Sequence, residues 1–353
     1  MDTALAIKVG GTADAELAQG AVVEVYERMG EPTTFSLRYQ MDIQEQDLPR
    51  LRDARLDPGS EIQVLVVADG TADCLVKGPV HSQKIRLLHG GTGSYVDVMG
   101  ADSSVAMDRA VQSKVWDAVR DSDIVRQIVS TYGLQVDAAD TAAMHAEAKH
   151  TVVQRDSDLR FVRRLARRNG FLFWLTADSS GAQTAHFRHP PLDGAPDTKL
   201  VINLEKPNLN TLDIAWDVER PTSATALQLN LADKSDIDGS VPKSPLKLLG
   251  DTSLADITRD TRSALVAVPV DDAGDLTSRA EATLVESDFF VRVTGETSPH
   301  ALGAVLHANT VVELQGAGQR HSGPYFVAGV RHTIDGLAHR MEFELIRNGW
   351  GGR

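Results

Sequence analysis

The sequence predicts an α+β protein that is mostly β: two antiparallel β modules, at residues 1–98 and 200–353, flank a mixed α/β insert at residues 99–199. Three observations predict this. Short runs of alternating apolar residues, separated by Gly-, Pro- and Asp-rich turns, fill both ends of the chain. Two segments between them change to helical period. The second of these segments passes through a glycine directly into the aromatic run "FLFWL".

The first module reads as "ALAIKV", "AVVEVYER", "TTFSLRYQM", "EIQVLVVAD" and "DCLVKGPVHSQKIRLL", broken by "GGTADAELAQG", "MGEP" and "LDPGS". Strands of this length at this spacing fit a small antiparallel barrel or sandwich. "VAMDRAVQSKVWDAV" reads as a continuing strand. "DSDIVRQIVSTYG" is helical by period, with Ile124, Val125, Ile128, Val129 and Tyr132 on one stripe. Ser122 or Asp121 is placed to cap its start, and Gly133 to end it in the left-handed conformation. In "DSDLRFVRRLARRNGFLFWL", Leu159, Val162, Leu165 and Ala166 make an apolar face, and Arg160, Arg163, Arg164, Arg167 and Arg168 take the rest. Asp156 and Asp158 fall in the first turn and Arg167 and Arg168 in the last, as the helix dipole favours. Asn169-Gly170 stops the helix. "FLFWL" then reads as a strand paired through "DSSG" with "AQTAHFRH".

The second β module begins with "DTKLVINL", "LDIAWDVER" and "TALQLNLAD". A polar loop region follows, "KSDIDGSVPKSPLKLLGDTSLADITRD", then a helix over 276–287 carried by Leu276, Ala280, Leu284 and Val285. "FFVRVTGE", "TVVELQG", "GPYFVAGVRHTID" and "HRMEFELIR" close the chain as strands. No short repeat is visible, although the two β-rich ends are compatible with a structural duplication.

Composition removes several classes of function. With 353 residues and 42% hydrophobic composition, the chain is long and apolar enough for real cores. A net charge of -13 opposes a protein whose main partner is nucleic acid. Cys74 is the single cysteine, which excludes an internal disulfide and any paired-cysteine zinc site; it reads as a small buried hydrophobe. No cleavable signal pattern and no run of about 18 apolar residues are found, so neither secretion by a signal nor membrane insertion is expected.

Catalytic motifs fail individually. "HAEAKH" spaces His145 and His150 five apart, not four as on a zincin helix, and lacks the cysteine pair of the zinc deaminases. Ser244 and Lys247 of "SPLK" sit in a Pro-rich loop with no companion motif. "KSDIDGSVPKSP" has Pro245 where a calcium loop needs Glu. "HGGTG" lacks the Lys-Ser/Thr of a phosphate loop. His321, His332 and His339 are expected on the terminal strands as structural residues. No catalytic residue, cofactor site or metal site is assigned.

"QRDSDLRFVRRLARRNGFLFWL", Gln154 to Leu175, resembles the signature of the hub proteins of contractile injection machines. These are the late control protein D family of contractile phages, the hub half of the valine-glycine repeat spike proteins of type VI secretion, and the baseplate hubs of related extracellular or cytoplasmic particles. "DSDIVRQIVSTYGL" is similar to the family's preceding helix, and the segment from Leu302 to Arg347 resembles its closing β module, with a core at Gly323, Tyr325 to Val330 and His332. The resemblance spans about Asp97 to Arg347.

It implies two tube-like antiparallel β-barrel domains per chain and a homotrimeric ring that joins a three-fold spike to a six-fold inner tube. The implied partners are further copies of the chain, the tube protein, other baseplate subunits and a separate spike protein, since this chain stops at "RNGWGGR". A structural, non-enzymatic component is implied, assembled in the cytoplasm and then part of a tail-like particle. Asp97 to Val129 and Leu200 to Asn230 are candidates for edges paired between subunits. Two other classes stay open: a hydrolase on a hub-like fold, and a nucleic-acid-binding module using the Arg-rich helix.

Two readings of that helix also stay open. Its arginines either pair with nearby carboxylates such as Asp137, Asp140 or Glu147 on a solvated face, or dock a partner, since Arg is enriched at interfaces. The interface candidates are Arg160, Arg163, Arg164, Arg167, Arg168, Phe171, Phe173 and Trp174. "FLFWL" and "PYFVAGV" are expected in the intrachain core first and at an interface second.

Overall fold

The computed structural model describes residues 3–41, 48–68, 70–145, 151–196, 198–229, 234–258, 261–268, 270 and 273–351. Six longer strands and the two-residue Thr12–Ala13 build the first module: β1 (Thr3–Val9), β2 (Ala21–Arg28), β3 (Thr34–Gln40), β4 (Glu61–Ala68), β5 (Thr71–Arg86) and β6 (Tyr95–Ala101). Alternation turns Val23 and Val25 of β2, Phe35, Leu37 and Tyr39 of β3, and Ile62 and Val64 of β4 into one core. A single helical turn, Ala15–Ala18, adds Leu17 to it; Asp14 fixes this turn by accepting the Leu17 N–H at 3.0 Å.

The insert contains α1 (Asp121–Ser130), β7 (Gln135–Ala138), α2 (Asp158–Arg168), β8 (Leu172–Ala177) and β9 (Gln183–Arg188). The aromatic hairpin β8–β9 forms as its sequence predicts, with β7 added parallel to β9. Gly133 takes the left-handed conformation after α1, at φ 70°. Two expectations are corrected. "VAMDRAVQSKVWDAV" is mostly not a strand: the Asp102 carboxylate accepts the Ser104 N–H at 2.9 Å and starts a 3₁₀ turn at Ser103–Asp108, leaving Lys114–Trp116 extended and Val119 at the start of a two-residue strand, Val119–Arg120. Neither Asp121 nor Ser122 caps α1. Both are its first residues, and the Ser122 hydroxyl instead accepts the Thr141 N–H at 3.3 Å.

The second module comprises β10 (Leu212–Trp216), β11 (Ser223–Leu229), β12 (Asp236–Asp238), β13 (Ser263–Val266), α3 (Ala273–Asp288), β14 (Val291–Thr297), β15 (Val311–Gln315), β16 (Gly323–Ile334) and β17 (His339–Arg347). The polar region holds more order than its composition implies. It contributes β12 and β13, which flank β11 in a small sheet packed against Leu276, Ala280 and Leu284 of α3. His321 ends a short helical turn, Gly318–His321, rather than lying on a strand.

Strand pairing changes the expected relation between the modules. β2 pairs antiparallel with the distal half of β16, from Arg28 opposite Gly329 to Val23 opposite Ile334. Both modules therefore share one 13-stranded sheet, running β10-β14-β17-β16-β2-β3-β6-β5-β4-β1 with Thr12–Ala13 at its end, and with β15 and then Lys199–Val201 branching from β16. Two separate closed barrels are not what the described residues form; the path of pairings stays open. The cause lies in two long strands, β5 and β16, each with a register shift along its length. β5 pairs β4 along its first half and β6 along its second. β16 likewise pairs β15 and then β2 on one side while β17 follows it on the other. Each module thus curls around its own core while handing half of a strand to the common sheet.

Candidate functional site

The arginine helix α2 folds as its sequence dictates. The Ser157 hydroxyl accepts the Arg160 N–H at 3.4 Å, and Leu159, Val162, Leu165 and Ala166 pack into the insert core with Phe173 and Phe187. Gly170, at φ 66°, then turns the chain, and the turn is tight: a Cβ there would meet the Ala282 Cα at 3.2 Å. Phe171, Phe173 and Trp174 are all buried. Phe171 meets the edge of Phe187 at 5.1 Å, and Trp174 stacks on His186 at 4.7 Å. Phe171 and Phe173 share the core under the helix, whereas Trp174 lines a separate cleft.

The arginines divide into two groups. Arg160 faces Asp108 at 3.3 Å, Arg167 faces Glu286 at 3.5 Å, Arg163 pairs with Glu31 and Arg164 with Asp156. None of these is the expected Asp137 or Asp140, which the fold gives to His186 with Arg188 and to Arg126; Glu147 lies outside the described residues. Arg160 and Arg167 remain 70% and 78% exposed, so these pairs contribute little, of order 0–1 kcal/mol. Arg163, Arg164 and Arg167 rim a groove of about 540 Å³ whose floor is Met29, Phe171, Leu172, Val285 and Phe289.

Arg168 belongs to the interior. Its Nε donates to Asp121 Oδ2 at 2.6 Å and its Nη2 to Oδ1. Asn169 Nδ2 donates to the same carboxylate at 2.6 Å, and His145 Nε2 lies 3.0 Å from it. Burial alone would raise the Asp121 pKa; the hydrogen bonds from His145, Arg168 and Asn169 outweigh it and hold the carboxyl well below its usual range.

A second polar cluster, which the sequence reading missed, sits in the seam between the β modules. Glu27 occupies an inward position on β2 and is buried. Its Oε1 is 2.9 Å from His307 Nδ1, and its Oε2 accepts the Ala308 N–H at 2.9 Å. His307 Nε2 reaches Asp73 of β5 at 2.9 Å. His332 of β16 approaches Glu27 at 3.4 Å and His339 of β17 at 3.1 Å. Burial pushes Glu27 up, but the imidazoles of His307 and His332 pull it down to about 2. Burial pushes His307 down, and Glu27 and Asp73 more than reverse it, holding His307 well above its ordinary value. Burial and the neighbouring His332 and His307 lower His339 to about 3.

The motifs with catalytic overtones stay apart. His145 serves Asp121, whereas Glu147 and His150 lie outside the described residues. Ser244 Oγ accepts the Leu246 N–H at 3.3 Å, while Lys247 points to Asp193 at 3.6 Å. Burial raises the Cys74 thiol to about 11, which leaves it unreactive. One array has relay geometry: Thr176 Oγ1 is 2.9 Å from His186 Nε2, and His186 Nδ1 is 2.9 Å from Asp137 Oδ2, on adjacent strands of the insert. Among the described residues, no three His, Cys, Asp or Glu side chains converge as a metal-ligand set, and no helix is long and apolar enough to cross a membrane.

Solved structures share this fold along nearly the whole chain. A tail protein from Neisseria meningitidis matches with a TM-score of 0.67 and 15% identity, over 99% of this chain and 97% of that one. The 43 kDa tail protein of prophage MuSo2 from Shewanella oneidensis matches at 0.66 and 13%, over 98% and 99%. An E. coli component of the type VI secretion system, described as similar to the T4 bacteriophage tail proteins gp27 and gp5, matches at 0.60 and 14%, over 98% and 78%. At these identities the likeness establishes the fold, that of phage tail and type VI spike-related proteins. No curated protein matches the sequence. The family model described as the Alg8 N-terminal domain matches residues 3–336, and the chain belongs to that family.

Proposed function

We propose that this chain is the structural hub of a contractile injection system or contractile phage tail: a trimeric ring between a three-fold spike and a six-fold inner tube. The observation that carries the proposal is the shared sheet. Eight consecutive strands, β10 through to the distal half of β5, are all antiparallel and draw four from each module. An even number leaves the two outer strands running in opposite directions, so copies set side by side would continue the antiparallel pattern. Three copies of a two-module chain would present six similar units.

Further features favour this reading. Among the described residues no strand pairs with the outer edge of β10, or with that of β5 beyond Val80, which bonds the Gly59–Ser60 loop, and such edges invite pairing. β10 lies within the expected Leu200 to Asn230 region; β6, from the Asp97 to Val129 region, is instead flanked by β3 and β5. Lys84 and Arg86 on one edge oppose Asp213 and Asp217 at the other in sign. Segments 1–98, 99–199 and 200–353 act as domains in this reading, each with its own core. The tube protein, a separate spike protein and other baseplate subunits are its partners. It acts without catalysis, nucleic acid or membrane insertion, assembled in the cytoplasm and carried in the particle. Sedimentation of the purified chain over a range of concentrations is expected to give a three-chain species. A monomer at every concentration, unchanged by added tube and spike proteins, would overturn the proposal.

A hydrolase reading has one observation in its favour, the Thr176–His186–Asp137 relay. It faces a cleft of about 350 Å³ that also contains Glu27, Asp73 and His307. Against it, a secondary hydroxyl on a regular strand is a hindered nucleophile, and both His307 nitrogens are already engaged. Turnover of p-nitrophenyl acetate at the buffer rate, identical in His186→Ala, is the expected result; a faster rate abolished by that variant would support hydrolysis.

A further inference from the structure

We infer that the groove under α2 docks a short acidic segment of a separate partner protein, with one bulky apolar side chain seated among the arginines. Three features point to this occupant. The floor, Met29, Leu172, Val285 and Phe289 with Phe171, is apolar and drawn from three parts of the chain: the β2–β3 turn, the start of the hairpin and α3. Leu172 and Phe289 are only partly buried, so they present apolar surface that the fold itself does not cover. The rim is basic. Arg163, Arg164 and Arg167 surround the floor, Arg160 adjoins it, and the acidic residues lining the groove are Glu31 and Glu286.

Glu31 holds Arg163 and Asp156 holds Arg164, which leaves Arg160 and Arg167 as the loosely paired cations of the rim. Arg167 and Glu286 are both largely exposed at 3.5 Å, a geometry that exchanges partners readily in water. A carboxylate arriving on an anchored segment would be held better, because seating the apolar side chain excludes water from the arginines it touches and strengthens each pair. Arg also offers a planar fork that carboxylates can accept bidentately. The whole chain is acidic, at -13, so a basic rim around an apolar floor is a local exception that selects acidic partners. A second copy is not the favoured occupant, since no groove residue belongs to β10 or to the distal half of β5, the edges that the ring reading uses. The inference goes beyond that reading and is independent of it: ring failure shows in the mass of the chain, groove failure in segment binding.

The probe is a fluorescein-labelled Glu-Glu-Phe-Leu-Glu-Glu peptide titrated with the full chain at low salt. Binding is expected to weaken at least about tenfold when Phe-Leu is replaced by Ser-Ser, and by a similar factor in the Arg160→Glu/Arg167→Glu variant. Both arginines are exposed enough for that variant to fold, which circular dichroism would verify. A photocrosslinker at the Phe position is expected to label Met29, Leu172 or Phe289. Equal affinity of the Ser-Ser peptide, or equal displacement of the Phe-Leu peptide by a single-stranded oligonucleotide, would reduce the groove to a charged surface and overturn the inference. Crosslinking elsewhere or no binding at low salt would overturn it as well.

Discussion

Replacing Asp121 by alanine is expected to destabilise the insert by about 3–5 kcal/mol, the cost of removing one partner from a buried ion pair. Asp121 is 2% exposed, and one carboxylate serves Arg168, Asn169 and His145 together. Without it the Arg168 guanidinium keeps its charge and its burial but loses its counter-charge. The same substitution takes a carboxylate from the first turn of α1, where the helix dipole favours an anion. α1 and α2 would loosen together, because Asp121 begins one and Arg168 ends the other. Urea unfolding is the measurement, with hydrogen exchange at the amides of Leu159 to Leu165 locating the effect. Arg167→Ala is the control. That neighbour is 78% exposed and faces Glu286 at 3.5 Å, so its loss should change stability by no more than about 0.5 kcal/mol. Equal effects of the two variants would mean that burial does not distinguish the Asp121–Arg168 pair from the exposed Arg167.

That contrast also marks what the sequence could disclose. α2 was legible because every signal for it is local: an apolar stripe of period 3.6, Ser157 before it, and Asn169-Gly170 after it. The aromatic hairpin was legible for the same reason, and the helix expected over 276–287 spans Ala273–Asp288. The separation of Arg168 from its sisters was not local. Its carboxylate lies 47 residues away, and helical period alone places Arg167 and Arg168 alike on the polar side. The shared sheet was hidden because the alternation in β2 and β16 satisfies any antiparallel neighbour; which edges meet is decided by how the two modules pack. The seam cluster did leave a trace. In "AVVEVYER" the inward positions are Ala21, Val23, Val25 and Glu27, so a carboxylate falls where an apolar residue is expected. Its partner His307 is 280 residues away, and only the fold could name it.

The seam cluster should make the pairing of β2 with β16 depend on pH in a way set by three groups. Glu27, lowered to about 2, contributes stability that is complete above its unfolded value of 4.5 and is lost as pH falls from there through about 2. His339, lowered to about 3, is held neutral while the unfolded chain binds a proton below 6.5; stability therefore falls as pH drops from 6.5 towards 3. His307 acts in the opposite direction. Its raised pKa stabilises the fold fully below 6.5, and this contribution is lost as pH rises through the folded value. Asp73 of β5 and His332 of β16 are the other titratable groups that contact the cluster. The three contributions together place maximal protection of the seam near pH 6.5, with loss on both sides. Hydrogen exchange at the β2 and β16 amides, between Val23 and Arg28 and between Gly329 and Ile334, should follow that profile. Glu27→Gln is expected to cost about 3 kcal/mol near neutral pH, because His307 then faces a neutral amide and Asp73 alone. The variant should also lose the acid step between 4.5 and about 2 and keep the step below 6.5 that belongs to His339. His339→Gln should do the reverse. A wild-type profile that Glu27→Gln leaves unchanged in shape would show that the seam is held by strand pairing and apolar burial, with the charge cluster a passenger.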